Sequence, residues 1–301
     1  MLLVIAATAA AEPEGLLAPA DQEPITPVPL PPDADPLKLA LGERLFADPR
    51  LSHDGGLTCT SCHDIHSNGA DGNRQRVARD GSIMPFNTLT IFNAALSFRL
   101  NWEGNFRSLE AHTESSLGDA ANMATNANEV LEKLNADPEM VRQFTQAYGH
   151  PPDRASLLDA IATYERSLVT PGSRFDRWLE GDTAALSAEE QKGYRLFKSL
   201  GCVSCHQGVN IGGNLFQRHG IFHPLASPKP EILRVPSLRN VATTPPYFHD
   251  GSAPTLRKAV RRMAFAQLDE TLSDQEIDAI VAFLNTLTGT YRGVPLTAPP
   301  P

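Results

Sequence analysis

Cys59-Thr60-Ser61-Cys62-His63 and Cys202-Val203-Ser204-Cys205-His206 are one five-residue frame written twice, and together they use all four cysteines of the chain. Two thiols one helical turn apart reach the two vinyl groups of one porphyrin, and the histidine that follows is then held under the iron. Zinc sites more often pair CxxC knuckles without a fixed histidine after each, and a thioredoxin-like dithiol would not occur twice. The frames therefore predict two covalently bound haem c groups, attached through Cys59, Cys62, Cys202 and Cys205, with His63 and His206 as iron ligands. No cysteine is left for a disulfide.

Outward from each frame the helix signals repeat. Gly42-Glu43-Arg44-Leu45-Phe46 precedes the first frame and Gly193-Tyr194-Arg195-Leu196-Phe197 the second. Asp35 before Pro36 starts one helix, and Ser187 with Glu190 forms the capping box of another. Ser273 and Glu276 cap a helix over 273–288 whose Ile277, Ile280, Val281, Leu284 and Leu287 share a face, and Gly289 stops it. Leu157, Leu158, Ile161, Tyr164 and Leu168 form another amphipathic run, ending at Pro171-Gly172. There is little period-2 patterning. The expected fold is mainly α, with two cytochrome c-like domains over 37–170 and 171–295.

The 301 residues are 41% hydrophobic and 20% charged, a globular composition. The net charge of −9 and the lack of a basic patch make nucleic acid an unexpected partner. No apolar run reaches membrane-spanning length. Residues 1–11 resemble the apolar core and small-residue cleavage site of a secretory signal, without its charged start, and point to the periplasm. Residues 12–36 read as a proline-rich extended lead-in outside any core, and 296–301 as a proline-rich tail.

Both haem frames, Asn87-Thr88-Leu89-Thr90-Ile91-Phe92-Asn93, Trp102-Glu103-Gly104, Val235-Pro236-Ser237-Leu238-Arg239-Asn240-Val241, Pro246-Tyr247-Phe248-His249-Asp250-Gly251 and Arg262-Met263 occur in one order. In that order and spacing the chain resembles the bacterial diheme cytochrome c peroxidase and MauG superfamily over nearly all of 37–292. The resemblance implies a peroxidatic N-terminal haem and a C-terminal haem that accepts electrons. It makes Met263 the sixth ligand of the C-terminal haem, where MauG itself has a tyrosine. Thioether ligation raises the potential and fills the site, which suits a haem that only passes electrons; otherwise Met263 fills a gap in the core. Trp102 matches the tryptophan between the two haems. Asn87, with the carbonyls of Thr244 and Pro246, matches a calcium site; Asn87 as a turn cap is the alternative.

Two departures bear on chemistry. Many family peroxidases carry a histidine sixteen residues after the first proximal histidine, which blocks the iron until reduction; here that position is Arg79. Counting from Trp102, His112 stands at the position of a distal glutamine and Asn122 at that of the acid–base glutamate. An amide cannot exchange a proton near neutral pH, whereas an imidazole can. His112 is then the distal acid–base, a sixth iron ligand, or a structural histidine. The expected activity is reduction of hydrogen peroxide to water with electrons from a small donor protein, a monohaem cytochrome c or a cupredoxin. The alternatives are a MauG-like oxidant of a protein or organic substrate and a diheme electron carrier. The resemblance also implies a homodimer.

Overall fold

The structure, a computed structural model, describes residues 23–299. The signal-like residues 1–11, and residues 12–22 of the lead-in, lie outside that range. Nine α-helices and two small antiparallel hairpins make up the regular structure among the described residues. None of the helices is long and apolar enough to cross a membrane.

The N-terminal half holds α1 (Pro36–Phe46), α2 (Leu109–Gly118), α3 (Ala127–Asn135), α4 (Pro138–Tyr148) and α5 (Arg154–Ser167). The C-terminal half holds α6 (Arg174–Leu179), α7 (Ala188–Ser199), α8 (Leu256–Leu268) and α9 (Asp274–Asn285). The caps sit where the sequence places them. The Asp35 carboxylate accepts from the Leu37 N–H at the start of α1, and Ser187 and Ser273 close capping boxes with Glu190 and Glu276. The helix expected over 273–288 ends three residues early, at Asn285.

Each half is built on one close helix pair, α1 on α5 and α7 on α9. The repeated glycine makes both approaches possible: a Cβ on Gly42 would overlap the Ala160 carbonyl, and one on Gly193 the Ala279 carbonyl. Around the first pair cluster Leu45, Phe46, Leu157, Ile161 and Tyr164; around the second, Phe175, Tyr194, Phe197, Ile280 and Phe283. The hairpins are β1 (Phe216–Arg218) with β2 (Ile232–Arg234), Phe216 opposite Arg234, and β3 (Thr290–Tyr291) with β4 (Val294–Pro295).

The chain ends cross over. The lead-in from residue 23 holds no helix or strand before α1, but it is not outside the core. Ile25 is fully buried in the C-terminal cluster, the Glu23 carboxylate accepts from the Tyr194 hydroxyl at 2.5 Å, and the Arg239 guanidinium donates to Thr26 O at 2.7 Å. In the other direction Leu296, the first residue of the expected tail, is buried in the N-terminal cluster, and Arg292 pairs with Glu43 on α1. An isolated apolar residue among prolines carries no period, so neither docking is readable from pattern alone.

Candidate active site

Both cysteine frames fold alike. Cys59–Ser61 and Cys202–Ser204 are single 3-10 turns, and the His63 and His206 amides each donate to the carbonyl of the first cysteine at 3.0 Å. The imidazoles are then fixed by the carbonyls that follow: His63 Nδ1–H donates to Gly69 O at 3.0 Å and His206 Nδ1–H to Ile211 O at 3.1 Å. That bond sets the tautomer and leaves each Nε2 with its lone pair for a metal. Gly69 has φ +74°, and a Cβ there would strike Phe92 and Thr90, so this carbonyl needs glycine. Burial lowers the pKa of His63, and takes that of His206 down to about 4, keeping both rings neutral. Burial also pushes the Cys59 thiol up to about 12 and the Cys202 thiol to about 11, which makes them poor redox nucleophiles and suits an attachment role.

Each frame opens on a cavity. The first, about 790 Å³, is lined by Cys59, Cys62 and His63, and falls within the ~300–1,000 Å³ range of cofactor-sized sites. The second is an apolar crevice of about 170 Å³ lined by Cys202, His206, Phe197, Leu284 and, from α8, Met263. The thioether thus shares a narrow space with the His206 imidazole. Trp102 lines both cavities and is 8% exposed. Its indole N–H donates to Asn87 O at 2.8 Å, its carbonyl accepts from the Arg234 amide at 2.8 Å, and its ring meets His249 edge-on at 6.3 Å.

The first cavity has a polar wall with no counterpart in the second. His112, on α2, lines it; its Nε2–H donates to Asn101 Oδ1 at 3.2 Å and its ring packs edge-on against Phe106. Burial, and to a lesser degree the proximity of His63, takes its pKa down to about 4. At neutral pH it is a neutral imidazole with a free Nδ1 lone pair. Asn122 lines the same cavity, and its Oδ1 accepts from the Arg76 guanidinium. Arg79 also lines it but is turned into an ion pair with Asp54. From the C-terminal half, Arg234 reaches in; it is 6% exposed and donates through Nε to Asn101 O at 3.0 Å. Burial lowers its pKa to about 10, and among the described residues no carboxylate pairs with it.

The residues present fit two c-type haems. The first cavity is lined by both thiols of its frame and the second by the Cys202 thiol, each with an oriented imidazole nitrogen, and in the first the buried Arg234 guanidinium without a counter-ion suits the propionates that a haem brings. Asn87, Thr244 and Pro246 are also brought together, on the wall of the second cavity. The Asn87 carbonyl is taken by Trp102 and its side-chain N–H donates to Asn73 O at 2.7 Å, so neither bond uses Oδ1. His249 is buried beside His219, ring centroids 4.8 Å apart.

Sequence reasoning assigned no role to Arg76, Asn101, Glu165 or Arg234. Glu165 carried a readable signal: it lies four residues after Ile161 and three before Leu168, on the apolar stripe of α5. It is 5% exposed and lines the first cavity.

A family model described as di-haem cytochrome c peroxidase matches residues 36–184, and one for cytochrome c matches 190–288. The chain is 37% identical to the cytochrome c551 peroxidase of Nitrosomonas europaea, over 94% of this chain and 89% of that protein. It is also 37% identical to the cytochrome c peroxidase Ccp of Escherichia coli, over 89% of this chain; it spans 62% of that protein's length. MauG proteins match at lower identity. Among solved structures, a MauG-like protein associated with microbial copper homeostasis superposes with TM-score 0.76 at 26% identity, covering 93% of this chain and 96% of that one.

Proposed function

We propose that this chain, which belongs to the di-haem cytochrome c peroxidase family, reduces hydrogen peroxide to water in the periplasm with electrons from a small redox protein. One observation carries the reading: the cavity at His63 is roomy and has a polar wall, whereas Met263 shares the crevice at His206. The first has room for a substrate, whereas in the second, a narrow apolar crevice, a thioether already accompanies the imidazole. We assign His63 and His206 as proximal ligands, Met263 as the sixth ligand of the second haem, and Trp102 as the group between them. Bound haem would supply iron that accepts peroxide oxygen and stores oxidising equivalents.

The reaction takes up two electrons and two protons per peroxide and releases two waters. His112, neutral at working pH, would take a proton from peroxide in the cavity through Nδ1 and return it to the departing oxygen. The Arg76 guanidinium, held by Asn122, adds positive potential where negative charge develops. Asn122 positions Arg76 and exchanges no proton. Arg79 is protonated, paired with Asp54, and has no lone pair to offer iron. The site should therefore be open in the fully oxidised protein, without prior reduction.

Stopped-flow mixing of the oxidised holoprotein with peroxide, and steady-state turnover with a reduced monohaem cytochrome c, test this. Expected are a high-spin resonance signal, a spectral change on mixing before any reduction, and turnover with donor. A low-spin, peroxide-inert oxidised protein overturns the open-site reading. Calcium is proposed at Asn87 Oδ1 and the carbonyls of Thr244 and Pro246; dialysis against a chelator should lower the melting temperature, and calcium should restore it.

A further inference from the structure

Peroxide reduction needs a proton supply as well as an electron supply, and the residues assigned so far do not provide one. His112 can shuttle a proton within the cavity, but a neutral imidazole brings none from outside. The net two protons must come from a group that holds one at working pH and borders both the cavity and a way out.

Glu165 has that placement. It is a carboxyl on α5, nearly fully buried, on the wall of the first cavity. Its Oε2 has no hydrogen-bond partner, and neither has Oγ1 of Thr113, the buried hydroxyl beside it on α2, next in sequence to His112. The hydroxyl lies near enough to act on the carboxyl but outside hydrogen-bond geometry, so a water or a substrate oxygen at this wall would complete the bonding of both. On the outer side stands Glu110, also on α2, about one-third exposed and paired with Arg166, the residue after Glu165. Glu110 is thus the more exposed of the two carboxyls, while Glu165 and Thr113 both line the cavity.

We propose that Glu165 is the proton-loading residue of the peroxidatic cavity: as the neutral acid it releases a proton by way of the Thr113 hydroxyl to oxygen bound there, and is reloaded from solvent at the Glu110 end. This rests on the peroxide-reducing function proposed above. Each cycle moves one proton inward, two cycles match the two electrons from the donor, and the products are two waters.

The electrostatics agree. Burial, reinforced by the Glu110 carboxylate, raises the pKa of Glu165 to about 8, and Arg166 and the Thr113 hydroxyl only partly oppose this. Cys59, on the facing turn, is the other titratable group that it influences. An ionised carboxylate in this place would lack a counter-ion, so the neutral acid is the stable form.

The experiment is infrared difference spectroscopy of the holoprotein in parallel with kinetics. The parent at neutral pH should show a protonated-carboxyl stretch that shifts in D2O, disappears as pH rises through about 8, and is absent from Glu165→Gln. Glu165→Gln should lower kcat roughly tenfold to a hundredfold with KM for peroxide unchanged, and flatten the alkaline limb of the pH profile. Thr113→Val, which keeps the acid, should retain the infrared band but lose rate, and Thr113→Ser should recover it. Should Glu165→Gln fail to load haem, the Thr113 pair carries the test. An active parent without the band, or active Glu165→Gln or Thr113→Val proteins with parental kcat and pH profile, overturns the proposal alone. A parent without peroxide turnover overturns both it and the function on which it rests.

Discussion

The two halves hold the same five-residue frame in the same turn, with the same His-to-carbonyl bond, yet they build different cavities. At His206 the facing element is α8, a helix that brings the Met263 thioether. At His63 the facing wall is α2 and the loop containing Arg76 and Arg79, which bring an imidazole and two guanidinium groups. The frame is therefore local and duplicable, while the chemistry of each cavity is set by what another element brings to its wall. Function diverges on the wall that the motif does not specify.

The largest effects come from breaking attachment itself. Cys59→Ala with Cys62→Ala should cost one haem by mass and abolish peroxide turnover. Cys202→Ala with Cys205→Ala should also cost one haem, but should leave the peroxide-induced spectral change at the first site while removing donor-driven turnover. If the first double variant kept its peroxide response, the assignment of the two cavities would be reversed.

Met263→Ala asks whether the second cavity can be made to resemble the first. The expected outcome is a low-spin to high-spin change and a lower potential at that haem, because a thioether favours the reduced iron. An unchanged spectrum and potential would show that a different group holds the position. At the first cavity, His112→Ala should slow peroxide cleavage by about a hundredfold, the usual scale for a lost general acid–base. The pH dependence sharpens the point. Since the pKa of His112 is lowered to about 4, the parent's acid limb should lie near pH 4 rather than near the ordinary histidine value of about 6.5. A limb near 6.5 would place the essential base elsewhere.

The architecture was legible because its signals are local. Paired frames, three caps and two amphipathic faces sufficed for two mainly helical, cytochrome c-like halves. The two cysteine pairs were legible for the same reason, and His112 drew attention because an imidazole stands where the resemblance implies an amide. What stayed hidden depends on contacts between distant segments. Ile25 looks like a stray apolar residue among prolines until Phe175, Tyr194 and Phe283 surround it. Arg234 interrupts a short apolar strand, and only the packing of the two halves shows that its charge faces the other half's cavity. Glu165 sits on a stripe that the sequence reads as core, and burial of that stripe is also what raises its pKa.

The smallest predicted effect tests whether the halves share a scaffold as closely as they share a motif. Gly42 and Gly193 occupy matching places, each against a carbonyl of the partner helix, so Gly42→Ala and Gly193→Ala should push apart α1 from α5 and α7 from α9. Overpacking of this kind costs typically ~1–3 kcal/mol, reduced by up to about 1 kcal/mol because alanine is the better helix former. Urea midpoints should fall in both variants, and each should perturb its own haem: Gly42→Ala the peroxide-reactive spectrum, Gly193→Ala the Met263-dependent one. The crossed chain ends tie the halves together, Ile25 in one core and Leu296 in the other, so a single unfolding transition is expected despite the local lesion. Two transitions, only one of them moved by each substitution, would show that the halves fold independently and that the crossing ends do not couple them.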